Sequence, residues 1–200
     1  MKLVGLSKLV LDRRPIVVML AGPNGAGKST FYASHLRPSG LRFVNADDLA
    51  EVFKIDPYRA AEVADAVRHE LVERGESFIF ETVFSDPVGD KLAFLKQAER
   101  RGYTVVLIFV GIDGPETSEA RVALRVAQGG HDVPSEKIAS RYARTMENLR
   151  RALNELKNVL VYDNSDLADS YREVAVKEEG RDFRLVGPTP VWLRPLLPAR

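Results

Sequence analysis

Two hundred residues, 45% of them hydrophobic, are enough for one domain with a substantial core and hardly enough for two. A formal net charge of +1, spread over mixed acidic and basic residues, gives no bulk field for nucleic acid or an anionic membrane, so any anion selectivity must be local. The absence of cysteine excludes disulfides and thiolate metal sites, and no window approaches the roughly 18 apolar residues of a membrane span or the core of a signal peptide, so a soluble cytoplasmic protein is expected.

The apolar, β-branched run Ile16 to Ala21 predicts a buried strand. It leads directly into Gly22-Pro23-Asn24-Gly25-Ala26-Gly27-Lys28-Ser29-Thr30, and a helix-compatible run, Ser29 to Leu36, follows. Strand, glycine-rich turn and helix in that order are the setting of a phosphate-binding loop. The glycines let the backbone approach a polyphosphate with its N–H groups and the next helix's N-terminus aimed at the anion. Lys28 would supply a point charge for the β and γ phosphates. Ser29 would supply a hydroxyl for the Mg²⁺ that bridges them. ATP or GTP is the expected ligand.

A second strand, Leu41 to Val44, opens into Asn45-Ala46-Asp47-Asp48. In a nucleotide-binding sheet such a strand commonly neighbours the phosphate loop, where a carboxylate could take a proton from a substrate hydroxyl. Helix capping by Asn45 or Asp47, with Asp48 favouring the macrodipole, fits the spacing equally well. Ala60 to Arg74 then carries a helical apolar stripe. The third strand, Phe78 to Phe80, runs into Glu81-Thr82-Val83-Phe84-Ser85. Glu81 ends an apolar run that would bury it, so it needs a partner: Mg²⁺-bound water, a substrate hydroxyl or an arginine. Thr82 and Ser85 could donate to substrate or cap the next helix, Asp90 to Arg100.

The fourth strand, Val105 to Ile112, precedes a helix bearing Arg121 and Arg125 on one face, then Gly129-Gly130-His131-Asp132-Val133-Pro134. The glycine pair makes a hinge, and the following helix carries Arg141 and Arg144. Two arginine-bearing helices on a hinge would form a lid whose guanidiniums neutralise charge on a phosphoryl group in flight, whereas a solvated basic face is the plainer alternative. His131 would touch substrate or hydrogen-bond within the turn. After a fifth strand, Val159 to Tyr162, the stretches Tyr171 to Val176 and Phe183 to Val186 predict a small hairpin, and Pro188, Pro190, Pro195 and Pro198 an irregular strap.

Alternating strands and helices predict one α/β domain over 1–200, a three-layer sandwich around a mainly parallel five-stranded sheet, with a core at about 15–165 and the hairpin and strap at 166–200. Lys28, Ser29 with Mg²⁺, mobile arginines and a candidate base make the set that phosphoryl transfer by a small kinase requires.

The pieces Gly22 to Thr30, Asn45-Ala-Asp-Asp48, Glu81-Thr-Val-Phe-Ser85 and Gly129 to Pro134, followed by Arg141-Tyr-Ala-Arg144 and Asn148-Leu149, together resemble the zeta toxin family of P-loop kinases. The resemblance implies a nucleoside-monophosphate-kinase-like fold with a helical lid and ATP-dependent phosphorylation of a small hydroxyl substrate, a nucleotide sugar such as UDP-N-acetylglucosamine in toxin members. It implies that Lys28 and the loop bind ATP, that Ser29 binds the metal, that Asp47 is the catalytic base, that Glu81 and Thr82 lie near the sugar, and that Arg125 with Arg141 or Arg144 forms the lid set. An antitoxin is the protein partner it implies. Typical toxins carry an acidic residue where this chain has Asn45 and a C-terminal helical region that this chain lacks.

Other readings keep the phosphate loop and change the rest. A transporter-type ATPase would need a Leu-Ser-Gly-Gly-Gln signature and an apolar run ending in Asp-Glu, and neither is in the sequence. A polynucleotide kinase would want a basic groove with aromatic platforms, against which the near-neutral charge counts.

Overall fold

The structure, a computed structural model, describes residues 8–129 and 133–197; Gly130, His131 and Asp132 of the expected hinge, and with them the proposed His131 contact, lie outside the described residues. Five short, β-branched or aromatic runs form parallel strands: β1 (Ile16–Ala21), β2 (Arg42–Val44), β3 (Phe78–Thr82), β4 (Thr104–Gly111) and β5 (Val159–Asp163). The helices are α1 (Lys8–Asp12), α2 (Lys28–Phe31), α3 (Ala46–Phe53), α4 (Pro57–Glu73), α5 (Asp90–Arg100), α6 (Gly114–Ala127) and α7 (Ser135–Glu155). α2 is short because the chain passes at Tyr32 into a π-helical turn that ends at Leu36.

The sheet order is β2-β3-β1-β4-β5-β6-β7. β3 therefore separates β2 from β1, so the loop leaving β3, not the one leaving β2, flanks the phosphate loop. The tail hairpin, β6 (Arg172–Lys177) and β7 (Arg184–Leu185), does not stand apart. It pairs antiparallel to β5 and extends the five predicted strands to seven.

Alternation along β1 splits the core into two layers. Val17 and Met19 face a cluster with Leu71 of α4, Leu95 of α5 and Leu149 of α7, while Val18 and Leu20 face Leu11 of α1 and Phe31 of α2. β1 is buried on both faces, as a central parallel strand must be. The right-handed logic of such units brings the C-terminal ends of the five parallel strands to one edge, where the loops after β1, β3, β4 and β5 meet. Among the described residues no helix is long and apolar enough to cross a membrane.

Candidate active site around the phosphate loop

The loop after β1 is as tight as its glycines suggested. A Cβ on Gly22 would lie 2.1 Å from the Val110 carbonyl oxygen, and one on Gly27, at φ 86°, would lie 2.7 Å from the Tyr171 hydroxyl. Only glycine allows β4 and the loop after β5 to approach so closely. Ser118 of α6 donates to the Asn24 carbonyl at 2.5 Å, fastening the loop's outer turn. The Asn24 side-chain oxygen is buried with no hydrogen-bond partner among the described residues, an acceptor left open beside the loop.

Lys28 is 8% exposed, and its ammonium donates to the carbonyls of Gly22 at 3.0 Å and Pro23 at 3.1 Å. Burial holds it below the usual lysine value; Glu81 and then Asp47 oppose that, and Arg125 reinforces it. Base candidate, β3 carboxylate and lid arginine thus all act on one ammonium. Ser29 donates to Glu81 Oε2 at 3.2 Å, and Glu81 Oε1 lies 3.9 Å from the Lys28 nitrogen. Burial pushes the Glu81 carboxyl up, Lys28 and the Ser29 hydrogen bond pull it down, and Asp47 and Asp48 add to the rise. A hydroxyl against a carboxylate at the foot of a phosphate loop is a donor set that suits Mg²⁺, which takes one or two protein ligands and keeps phosphate oxygens and water for the rest.

At the start of α3, Asn45 is the cap: its side chain accepts from the Asp47 N–H at 2.9 Å. Asp47 is left exposed beyond the cap. Its neighbour Asp48 is raised by burial first and by Asp47 and Glu51 next.

The four lid arginines have different surroundings. Arg121 donates to the Ser165 carbonyl at 2.9 Å, tying α6 to the loop after β5, whereas Arg125, one turn on, acts on Lys28. Arg144 donates through Nε to the Ser85 carbonyl at 2.9 Å. Arg141 is half-buried on the same helix. Beside Arg144, Thr145 donates to the Val83 carbonyl at 2.8 Å, and Asn148 donates to the carbonyls of Phe84 and Asp86, each at 2.9 Å. α7 therefore grips the whole loop after β3. That loop needs gripping, because Phe84 is fully buried at φ 62°, with its N–H on Thr82 Oγ1 at 3.0 Å.

The last wall is the loop after β5. Asn164 donates to the Ala26 carbonyl at 2.9 Å, and Tyr171 donates to the Gly27 carbonyl at 2.9 Å.

A family model described as an AAA domain matches residues 17–151, the stretch from β1 through most of α7. The chain belongs to this AAA domain family. An uncharacterized protein of Haemophilus influenzae is 28% identical to this AAA domain over 131 residues, 62% of this chain and 91% of its own. Among solved structures, AvrRxo1-ORF1:-ORF2 with ATP superposes at TM-score 0.67 and 16% identity, over 87% of this chain and 61% of that one. The chain thus spans less than two thirds of the AvrRxo1 chain it matches. The PezAT chromosomal toxin-antitoxin system of Streptococcus pneumoniae superposes at TM-score 0.55 and 20% identity, over 79% of this chain and 70% of that one. At these identities the likeness is one of fold, and the fold is that of the P-loop kinases.

In this AAA domain Lys28, Ser29, Glu81, Asp47 and Arg125 come together around the loop; Thr82, Ser85 and Arg144 serve the backbone of the β3 loop; and Arg121 serves the loop after β5. Asn148, Asp163, Asn164 and Tyr171 hold the walls of the site through hydrogen bonds that sequence reasoning misses. The polar triplet Asp163-Asn164-Ser165 at a strand's C-terminal end was a signal of the same kind as Asn45-Ala46-Asp47-Asp48.

Proposed function

We propose that the protein is an ATP- and Mg²⁺-dependent kinase that phosphorylates a hydroxyl of a small substrate. One observation carries the reading: at the foot of the phosphate loop the buried Lys28 ammonium lies 3.9 Å from Glu81, whose other oxygen accepts from the Ser29 hydroxyl at 3.2 Å. The phosphate loop and the N-terminus of α2 hold the triphosphate, and Lys28, whose amino group now rests on loop carbonyls, turns to the β and γ phosphates. Ser29 with Glu81 behind it would hold Mg²⁺, which when bound neutralises phosphate charge. Asp47 takes the proton of the acceptor hydroxyl as its oxygen bonds to the γ phosphorus. The bond from that phosphorus to the β,γ-bridging oxygen breaks, leaving ADP. Arg125, with Arg141 from the facing helix, offsets the charge on the equatorial oxygens.

A nucleotide sugar, UDP-N-acetylglucosamine foremost, heads the acceptors this reading suggests, and the cytoplasm, where ATP and Mg²⁺ are abundant, is the compartment. A small antitoxin-like protein is the partner class, since the PezAT relative in fold is described as a toxin-antitoxin system. ADP release is measured with ATP, Mg²⁺ and a panel of nucleotide sugars and small hydroxyl metabolites, and products are read by mass. An acceptor-dependent gain of one phosphate, abolished by Asp47→Asn, supports the reading. Acceptor-independent ADP release with ATP-dependent dimerisation would instead make the protein a mechanical ATPase.

A further inference from the structure

The C-terminal strap carries a buried tryptophan, packed in the core layer that includes Leu71 of α4, Leu95 of α5 and Leu149 of α7. Trp192 is 8% exposed and lies against β4 at Gly111, so that a Cβ on that glycine would sit 2.2 Å from the outer edge of the indole ring. Gly111 pairs in register with Asp163, the last residue of β5. The indole N–H donates to Asp163 Oδ1 at 3.0 Å, and Ser165 donates to the same oxygen from its hydroxyl at 2.6 Å and its N–H at 3.2 Å. Arg172 of β6 holds the other oxygen at 2.9 Å while it also donates to the Pro188 carbonyl of the strap at 2.7 Å.

From Asp163 the constraint passes to the phosphate loop in one step. Asn164 donates its N–H to the Gly111 carbonyl and its side-chain amide to the Ala26 carbonyl, both at 2.9 Å, and its Oδ1 accepts from Tyr171 at 3.3 Å. Tyr171 in turn holds the Gly27 carbonyl. Those two carbonyls share planar trans peptides with the N–H groups of Gly27 and Lys28. Fixing the oxygens toward the loop after β5 therefore points both donors the opposite way, into the concavity of the phosphate loop.

We propose that Trp192 is a positioning residue for the nucleotide: its indole N–H fixes Asp163, and Asp163 fixes the 164–171 loop that orients the phosphate-binding donors and receives Arg121. The inference rests on reading the loop as a nucleotide site. Its test therefore measures binding, which needs no acceptor.

Trp192→Phe keeps an aromatic ring in the strap but removes the donor together with the outer ring edge that meets Gly111, so folding is checked by the melting temperature of each variant. Binding of a nonhydrolysable ATP analogue with Mg²⁺ is measured by calorimetry below the melting temperature of each variant, for Trp192→Phe, Asp163→Asn and the double variant. Trp192→Phe is expected to raise Kd about tenfold, the scale of one lost hydrogen bond to a buried carboxylate. The double variant is expected to be no weaker than the worse single one, because both act through one contact. A purely structural tryptophan would lower the melting temperature and leave Kd unchanged, and that result overturns the inference, as does full additivity. Trp192 is the sole tryptophan of the chain, so its emission in the unsubstituted protein gives a second readout that does not depend on any variant folding. Saturation with the analogue is expected to change that emission, and constant emission under calorimetrically verified binding overturns the inference alone. Failure of the unsubstituted protein to bind the analogue overturns the nucleotide reading and this inference with it.

Discussion

Ser29 of the phosphate loop donates its hydroxyl to Glu81 at 3.2 Å, joining the first residue able to meet a metal ion to a carboxylate on the neighbouring strand. If Glu81 orients the Ser29 hydroxyl and the water around Mg²⁺, then Glu81→Gln should bind the ATP analogue in EDTA as the unsubstituted protein does, and should lose roughly 10- to 100-fold of the tightening that Mg²⁺ brings. Calorimetry with and without the ion measures this. Equal Mg²⁺ enhancement in both proteins would show that Glu81 has no part in holding the metal.

Asp47 stands exposed past the Asn45 cap, and its charge is felt at Lys28. Asp47→Asn is expected to leave the cap and the nucleotide Kd nearly unchanged and to cut acceptor-dependent turnover by about 10²- to 10⁴-fold, the usual range for a lost general base. A variant that turns over normally would assign the proton to another group.

The two arginines one turn apart on α6 should separate kinetically. If Arg125 offsets charge on the transferred group, Arg125→Ala should lower kcat; Arg121→Ala is expected to raise the KM for ATP, since its guanidinium holds the Ser165 carbonyl. Steady-state kinetics with the identified acceptor reads both. Identical effects would mean that the helix acts as one unit.

The carboxyls of Asp163 and Glu81 are shifted in opposite directions. Burial raises Asp163, but hydrogen bonds from Ser165, Trp192 and Arg172 outweigh it, so its folded carboxyl lies below the ordinary value. Its stabilisation is present above the unfolded value near 3.9 and is lost as the pH falls through the lower folded one. The stability gap between the unsubstituted protein and Asp163→Asn should then be constant from about pH 7 to 5 and shrink below about pH 4. Glu81 sits above its ordinary value, so its protonated form favours the fold at acid pH and that contribution fades as the pH rises through the folded value. Urea unfolding at several pH values follows both, and a gap that widens in acid would reverse the assignment at Asp163.

Asn148 holds the carbonyls of Phe84 and Asp86 from the middle of α7. Asn148→Ala would leave both without that donor while Phe84 remains at φ 62°, and is expected to cost about 2–3 kcal/mol of stability. A loss below about 0.5 kcal/mol, the scale of an ordinary surface change, would show that the strained turn holds itself.

The sequence exposes what is local. The phosphate loop is contiguous, so its glycines, Lys28 and Ser29 are readable in place, and each parallel strand announces itself by a short β-branched or aromatic run. What pairs across the chain is hidden: nothing between Asn45 and Ser85 says that β3, not β2, lies against β1, and nothing in the tail says that the hairpin adds to β5. The same limit separates Arg121 from Arg125. Helical spacing puts them on one face, while their partners, Ser165 and Lys28, come from opposite ends of the chain. Trp192 and Asn164 look ordinary in sequence, and their importance lies wholly in contacts made over 29 and 138 residues.

That separation has a consequence for how the protein comes into being. The phosphate loop leaves the ribosome before the segments that hold it, and β1 can pair with β3 and β4 while those segments are still being made. Asn164 and Tyr171, which hold its carbonyls, follow more than 130 residues later, and Trp192 later still. A nascent chain halted after α7 would thus display the full nucleotide motif with its peptides unheld. In the nucleotide reading, competence to bind waits for Asn164 and Tyr171, when closing loops of more than 130 residues completes the wall of the site.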